Sequence, residues 1–277
     1  MAIKDHITSR YGEEGCLIEA DWSSLEIVVW AFLNQDPTLL KLIRSGQDMH
    51  RYVGAGVLGC KPEEVTAEQR TLLKPANFTL IYGGTAWNLV QKDGLEPEFA
   101  DRVYESFWKM FPVARLWSDN LLFSLDANAS SPDEYGNMTS WYRGLTGRKL
   151  WFKNYPTKIS KFCSDNRIYT MKGFKYSEGM NYKVQSFATA DIHMIALGLL
   201  WREAIKHRDK FLLVNTVHDS VLIDCRREYK DMCCNTVKNK LECVMDVLKD
   251  KFNIDFDLPL RVDLKVGESW GSTRDYD

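Results

Sequence analysis

Two carboxylates stand where apolar runs end. Asp21 follows "CLIEA", and Asp219 sits inside "FLLVNTVHDSVLIDC", between two runs rich in β-branched and aliphatic residues. If both stretches are strands of one sheet, it can bring the two carboxylates together from opposite parts of the chain. Such a pair can hold two divalent ions roughly 4 Å apart, the arrangement used for in-line displacement at phosphorus. Local structure offers its own account of each. Ser23 can cap a helix with Glu26 closing a capping box, which leaves Asp21 a carboxylate near a helix N-terminus, favoured by the dipole. Asp219 can equally be a turn aspartate bonded to its own backbone.

A third group recurs every fourth position: Arg70, Lys74, Phe78 and Tyr82 in "RTLLKPANFTLIYG". At about 100° per residue these four form one oblique helical stripe about 18 Å long. Leu72, Leu73, Ala76 and Leu80 fall on another side and form an apolar face, while Ile81 fits neither group. Two cations at one end suit a triphosphate, and two rings at the other suit a sugar and base. The competing account is a solvated face carrying two aromatic side chains.

These residues need elements to position them. A short strand is expected at "CLIEA", then helices over "SSLEIVVWAFL" and "PTLLKLIRSG", the second stopping at Gly46. "VTAEQRTLLKPANFTLIYGG" reads as a long helix with Thr66 as N-cap, Gln69 in the capping-box position and Gly83-Gly84 at its end. Helical patterning continues through "EFADRVYESFWKMF" and "RLWSDNLLFSL" to a loop at "DANASSPDEYGN". Later come a helix over "VQSFATADIHMIALGLLWREAIK", two β-runs about a tight turn at "HD", a helix through "YKDMCCNTVKNKLECVMDVLKD" and a strand in "LPLRVDLKVG". The expected fold class is α+β.

The totals bound the class. At 277 residues, with 45% hydrophobic and 12% aromatic, the chain can bury a sizeable core, so disorder is not expected. The 36 Lys and Arg against 38 Asp and Glu exert no overall pull on nucleic acid or membrane. Residues 141–183 differ, with ten basic residues against two acidic ones, a local balance of +8. Seven cysteines, with no CxxC pair and no nearby histidine pattern, fit a reduced compartment rather than a disulfide frame or zinc site. No charged n-region leads into an apolar stretch at the start, and the longest apolar run is too short for a bilayer, so a soluble cytoplasmic protein without a membrane partner is expected.

Taken together, "DWSSLEI", "RTLLKPANFTLIYGG" and "VHDS" resemble motifs A, B and C of the family A DNA polymerases, the class of bacterial DNA polymerase I and many phage replicases. "GQDMH", "GLTGRKL", "NYKVQSFATAD" and the terminal "LPLRVDLKVGESW" match further segments in the family's order. The resemblance implies a palm, an antiparallel sheet flanked by helices, over residues 1–34 and 144–277, and helical fingers over 35–143. It implies template-directed DNA synthesis from dNTPs on primer-template DNA with two Mg²⁺ ions. Asp21 and Asp219 would be metal ligands, helped by the backbone carbonyl of Trp22. His50, Arg70 and Lys74 would grip the phosphates, with Lys74 also the proton donor to the leaving group. Phe78 would lie against the sugar, Tyr82 near the template base, and Glu26 would crowd the 2′ position against ribonucleotides. His218 would approach the primer terminus, Asn181 and Gln185 the duplex near it, and Arg148 with the basic block the duplex phosphates.

Three positions depart from the family pattern. Ser220 replaces the glutamate of a His-Asp-Glu motif C, Pro75 falls inside the motif B helix, and Ser177 stands where many relatives carry arginine. About twenty residues precede motif A, so a thumb and a proofreading exonuclease are not expected within this chain. A separate subunit supplying them, in a split phage replicase working in the host bacterial cytoplasm, follows as an expectation. The alternatives are an inert polymerase-like scaffold in a replication complex and an RNA-templated polymerase with the same two-metal site.

Overall fold

The computed structural model describes residues 3–159 and 169–276, without the side chains of residues 122, 155–159, 169–172 and 176. In chain order the first elements are β1 (Gly15–Trp22), α1 (Leu25–Asn34), α2 (Pro37–Ser45), α3 (Met49–Leu58), α4 (Ala67–Ile81), α5 (Ala86–Asp93), α6 (Pro97–Met110) and α7 (Pro112–Ala127). There follow β2 (Thr139–Arg143), β3 (Lys149–Lys153), β4 (Tyr155–Ile159), β5 (Tyr169–Gly173), α8 (Tyr176–Phe187), a π-helical turn (Ala188–His193) and α9 (Met194–Lys206). The last are β6 (Phe211–Val217), β7 (Ser220–Arg226), α10 (Lys230–Glu242), α11 (Val244–Phe252), β8 (Val262–Gly267) and β9 (Arg274–Asp275). The chain forms two compact units, Met1–Val29 with Ser186–Asp277 and Trp30–Gln185.

The first unit is an antiparallel sheet in the order β6-β7-β1-β8-β9. Its central strand β1 is buried at almost every position instead of alternating. Both faces are covered: α9 and α10 pack against the sheet, while Leu17 and Leu222 meet Trp270 and Ile7. Near-continuous apolar sequence is what burial on two faces demands. The β6–β7 hairpin closes through His218-Asp219, since Val217 pairs with Ser220. His218 takes φ +56°, the positive value that the first position of a primed hairpin turn requires.

In the second unit the helices gather on an aromatic core. Trp30, fully buried, stacks on Phe107 at 5.9 Å and meets Phe111 edge-on at 6.2 Å. Asp36 ties the helices together, with one oxygen capping α2 and the other accepting the N–H groups of Val113 and Ala114 at the start of α7. The hairpins β2–β3 and β4–β5, which periodicity did not reveal, lie in the basic block. Leu121, Leu125, Tyr142, Phe152 and Met180 form a satellite core beneath the first of them.

Several local expectations hold. Gly46, at φ +70°, ends α2, and Thr66 with Gln69 forms a reciprocal capping box on α4. Others are corrected. The expected helix after motif C breaks at Cys243 into α10 and α11. Helix α1 begins at Leu25, not at Ser23, because Ser23, just past the end of β1, is bonded to the segment around the start of β8. Its N–H donates to the Arg261 carbonyl at 2.9 Å and its hydroxyl to Asp263 at 2.6 Å. Ser24, at φ +59°, takes the flanking position, which removes the Ser23-to-Glu26 spacing of a capping box. The apolar stretch expected to be too short for a bilayer belongs to a continuous helix, Ser177–Lys206, that is long and apolar enough by length and composition alone. Of its apolar window, 44% is buried within the protein.

Candidate active site

The two motif carboxylates both belong to the first unit. On adjacent strands β1 and β7, Ala20 faces Val221. Asp21 is one residue beyond that pair on β1, and Asp219 two residues beyond it toward the turn. Their fields overlap. Asp219 is raised above its ordinary pKa by partial desolvation and then by the charge of Asp21, with Glu26 adding to the effect. Asp21 is raised by desolvation and by Glu19, with a further contribution from Asp263 directly across the β1–β8 ladder. Like charges so placed resist ionising together, and a divalent cation relieves that cost. Among the described residues no group of three or more His, Cys, Asp or Glu side chains is close enough to hold a metal. Two carboxylates so placed could hold an ion whose remaining ligands are backbone, substrate and water oxygens.

The cationic-aromatic stripe belongs to the second unit, on α4. Leu73, Ala76 and Leu80 are buried as expected, but Leu72 is 49% exposed and Ile81, the residue that fitted neither group, is fully buried. The helix runs through Pro75 and ends at Ile81, leaving Tyr82 as its C-cap. Phe78 and Tyr82 stack at 6.4 Å with 22° between their planes, and His50 from α3 tilts against Phe78 at 5.6 Å. Arg70 is already engaged: its Nε donates to Asp48 Oδ2 at 2.6 Å. His50 is 3% exposed, and the Asn77 amide donates to its Nδ1 at 2.9 Å, so the ring proton sits on Nε2. Burial, reinforced by Arg70 and Lys74 and opposed by Asp48, pulls His50 down to about 4. It is a neutral donor at physiological pH.

Tyr82 accepts a hydrogen bond from Gln185 Nε2 at 3.0 Å. Next to this pair lies a cavity of about 880 Å³ lined by residues that include Phe78, Tyr82, Asn181 and Tyr182. Asn181 and Gln185, expected beside the duplex, are thus joined with the aromatic end of the stripe. Arg148 is exposed in the β2–β3 turn, where its carbonyl accepts from Gly144 and Gly147 takes φ +88°. Within the basic block, Lys161 and Arg167 lie outside the described residues, as do the side chains of Lys158 and Lys172.

The family model described as DNA polymerase family A matches residues 2–272, nearly the whole chain. The chain belongs to DNA polymerase family A. Among curated relatives of the family, it is 25% identical over 258 residues to DNA polymerase I of Caldicellulosiruptor bescii, matching 93% of this chain and 27% of that protein. It is 27% identical over 265 residues to DNA polymerase I of Aquifex aeolicus, matching 93% of this chain and 40% of that protein. The chain spans about a quarter to two fifths of the length of these relatives. Its fold is that of the POL domain of Pol1 from M. smegmatis, solved in complex with DNA primer-template and dNTP. The TM-score is 0.72, at 22% identity over 97% of this chain and 42% of that one.

Two site neighbours escaped the sequence reading of this family A chain. Asp48 lies inside the quoted "GQDMH", where a carboxylate before a helix signals a cap; its ion pair with Arg70, 22 positions on, carries no local signal. Asp263 alternates with apolar residues in β8 and reads as a solvent-facing strand residue until the register sets it against Asp21.

Proposed function

We propose that this chain catalyses template-directed DNA synthesis, joining the α-phosphate of a dNTP to a primer 3′-hydroxyl with release of pyrophosphate. The observation that carries this reading is the overlap of the Asp21 and Asp219 fields at neighbouring strand ends, in a family A chain. Residues 1–34 and 144–277 are read as palm, and the helical residues 35–143 as fingers.

Asp21, Asp219 and the Trp22 carbonyl would hold Mg²⁺, which when bound activates the primer hydroxyl and neutralises charge on the leaving pyrophosphate. Arg70 keeps its Nε on Asp48 while its terminal nitrogens, with four further N–H groups, face phosphate recognition. Lys74 supplies charge and a proton to pyrophosphate. His50 donates from Nε2. Phe78 packs on the incoming sugar, and Tyr82, anchored by Gln185, limits the space for the templating pair. Glu26 occupies the volume a 2′-hydroxyl would need. His218 meets the primer end, Asn181 reads minor-groove acceptors, and Arg148 with the basic block contacts duplex phosphates.

Primer extension on a labelled primer-template with Mg²⁺ and four dNTPs, beside Asp219→Asn, tests the reading. Extension by the unmodified chain only is expected. Equal extension by both would refute the assigned site, and primer-template binding without synthesis in either would favour the scaffold. An added thumb-bearing subunit should tighten primer-template binding at fixed salt; unchanged affinity would count against the split replicase.

A further inference from the structure

Between the two carboxylate-bearing segments of the first unit lies a buried histidine that the polymerase reading does not use. His193 is 1% exposed and closes the π-helical turn Ala188–His193. A π turn carries one residue more than an α turn, so it presents His193 where an unbroken α-helix would present a neighbour.

The ring's hydrogen bonds have only one possible direction. The Trp22 indole nitrogen, which can only donate, lies 3.1 Å from His193 Nδ1, so Nδ1 accepts and carries no proton. The neutral ring then bears its proton on Nε2, 3.0 Å from the Thr216 hydroxyl, which accepts it. Thr216 in turn donates its own proton to the Ser220 carbonyl at 2.9 Å. The chain starts on the residue after Asp21 and ends on the residue after Asp219. Thr216 and Ser220 are the two sides of the hairpin whose turn holds Asp219, and Ser220 Oγ closes that turn onto the Val217 carbonyl at 3.0 Å.

We infer that His193 is a positioning residue that couples the end of β1 to the β6–β7 turn, and so sets the separation of Asp21 and Asp219. The inference rests on the reading above, in which those two carboxylates carry the chemistry. A histidine buried only for packing would need neither nitrogen satisfied by these two segments. Here both are, and the donor order is fixed from Trp22 to Ser220. His193 touches no reacting atom; it acts through the spacing of the groups that do.

The test uses the full chain with His193→Gln, His193→Leu and Thr216→Val. Glutamine can accept from Trp22 through its amide oxygen and donate to Thr216 through its NH₂, whereas leucine can do neither. Steady-state extension should show His193→Leu losing roughly tenfold or more in kcat with the dNTP KM little changed, the mark of lost alignment. His193→Gln should recover most of that loss. The second readout is independent of activity: the rise in Tm produced by Mg²⁺ alone should shrink in His193→Leu and return in His193→Gln. Thr216 is exposed, so Thr216→Val keeps the question open to test if His193→Leu does not fold, and it should lower kcat and the Mg²⁺ response in the same direction.

A folded His193→Leu or Thr216→Val with normal kcat and a normal Mg²⁺ response would overturn the coupling while leaving the active-site reading intact. Losses in His193→Gln as large as in His193→Leu would overturn it too. If the unmodified chain and Asp219→Asn behave alike in both readouts, the reading beneath it has failed instead.

Discussion

Asp48 and Arg70 are joined at 2.6 Å between Oδ2 and Nε, and the other oxygen of Asp48 accepts the Arg51 N–H at 3.0 Å to cap α3. One carboxylate therefore fixes both the start of the helix bearing His50 and the direction of the guanidinium on α4. Partial burial is the largest single influence and works against ionisation of Asp48, but the hydrogen bonds from Arg70 and the Arg51 N–H, with the charge of Arg70, together outweigh it, and its pKa is lowered. Asp48→Asn keeps an oxygen for the cap and removes the charge. Because both side chains are about one third exposed, the change should cost no more than about 1 kcal/mol of stability. Its functional effect should be larger, a severalfold rise in the dNTP KM as Arg70 loses its anchor. Steady-state single-nucleotide incorporation beside a denaturant melt would separate the two effects. An unchanged KM would mean that Arg70 needs no anchoring.

His50 gives a pH signature of opposite origin. Its folded-state pKa of about 4 lies below the ordinary 6.5, so the unfolded chain takes up the proton first as pH falls. The stability it contributes is complete above about pH 6.5 and is lost on the way down to pH 4, with an upper bound of about 3 kcal/mol for a group so buried. Urea midpoints measured between pH 4 and 7 should fall more steeply for the native chain than for His50→Gln. Parallel curves would show that His50 is not held neutral by its surroundings.

These groups also mark how far the sequence could be read. The capping box of Thr66 and Gln69 and the stop at Gly46 were legible because partners within a few residues determine them. The stripe on α4 was legible as a spacing but not as a state: nothing near Arg70 in sequence announces Asp48, and nothing near His50 announces the Asn77 amide. Ser23 was misjudged for the same reason. Its cap chemistry is real, yet Arg261 and Asp263, over two hundred residues away, use its N–H and hydroxyl first. Leu72 left the expected apolar face for solvent, and Ile81, which fitted neither group, is buried, because helical angle alone does not say which neighbours arrive on each side.

Cysteine reactivity should divide by position in the sheet. Hydrogen bonding with Cys225, its cross-strand partner, and burial push the Cys16 thiol up. Cys225 is lowered by its bond to Cys16, but Cys233 and burial outweigh this and push it up. Burial pushes Cys234 up to about 12. Nucleophilic thiolate is thus scarce at all three near neutral pH, whereas Cys60 and Cys243 are partly exposed. Among the cysteines of the described residues, brief alkylation followed by peptide mapping should label Cys60 and Cys243 first. Early labelling of Cys16 would mean that β1 and β7 open more readily than their burial implies.

Glu26 lies in the first turn of α1, and its charge reaches Asp219. A carboxylate there can exclude a ribose hydroxyl by the volume it occupies. Glu26→Ala should therefore weaken discrimination against ribonucleotides by roughly tenfold to hundredfold, with a much smaller effect on the kcat for dNTPs. Competition between dNTP and rNTP in single-nucleotide extension measures the ratio directly. A ratio that does not move would assign Glu26 to electrostatics at Asp219 alone.

The mutual repulsion of Asp21 and Asp219 predicts that removing the chemistry steadies the fold. Both pKa values are raised, so the folded protein holds these protons more tightly than the unfolded chain does. With metal absent, their ionisation costs stability above the raised pKa values, and that stability returns as pH falls through them. Asp219→Asn removes one charge of the pair and should raise the metal-free Tm at neutral pH while flattening its dependence on acid. The same substitution should reduce synthesis by roughly a thousandfold or more, since the charge stabilisation lost at the reacting phosphate amounts to several kcal/mol. Adding Mg²⁺ should then reverse the order of stability, lifting the native chain more than the variant. Thermal melts of both proteins with and without Mg²⁺ contain the whole comparison: a variant less stable than the native chain without metal would mean that Asp219 is held by favourable contacts and is not poised against Asp21.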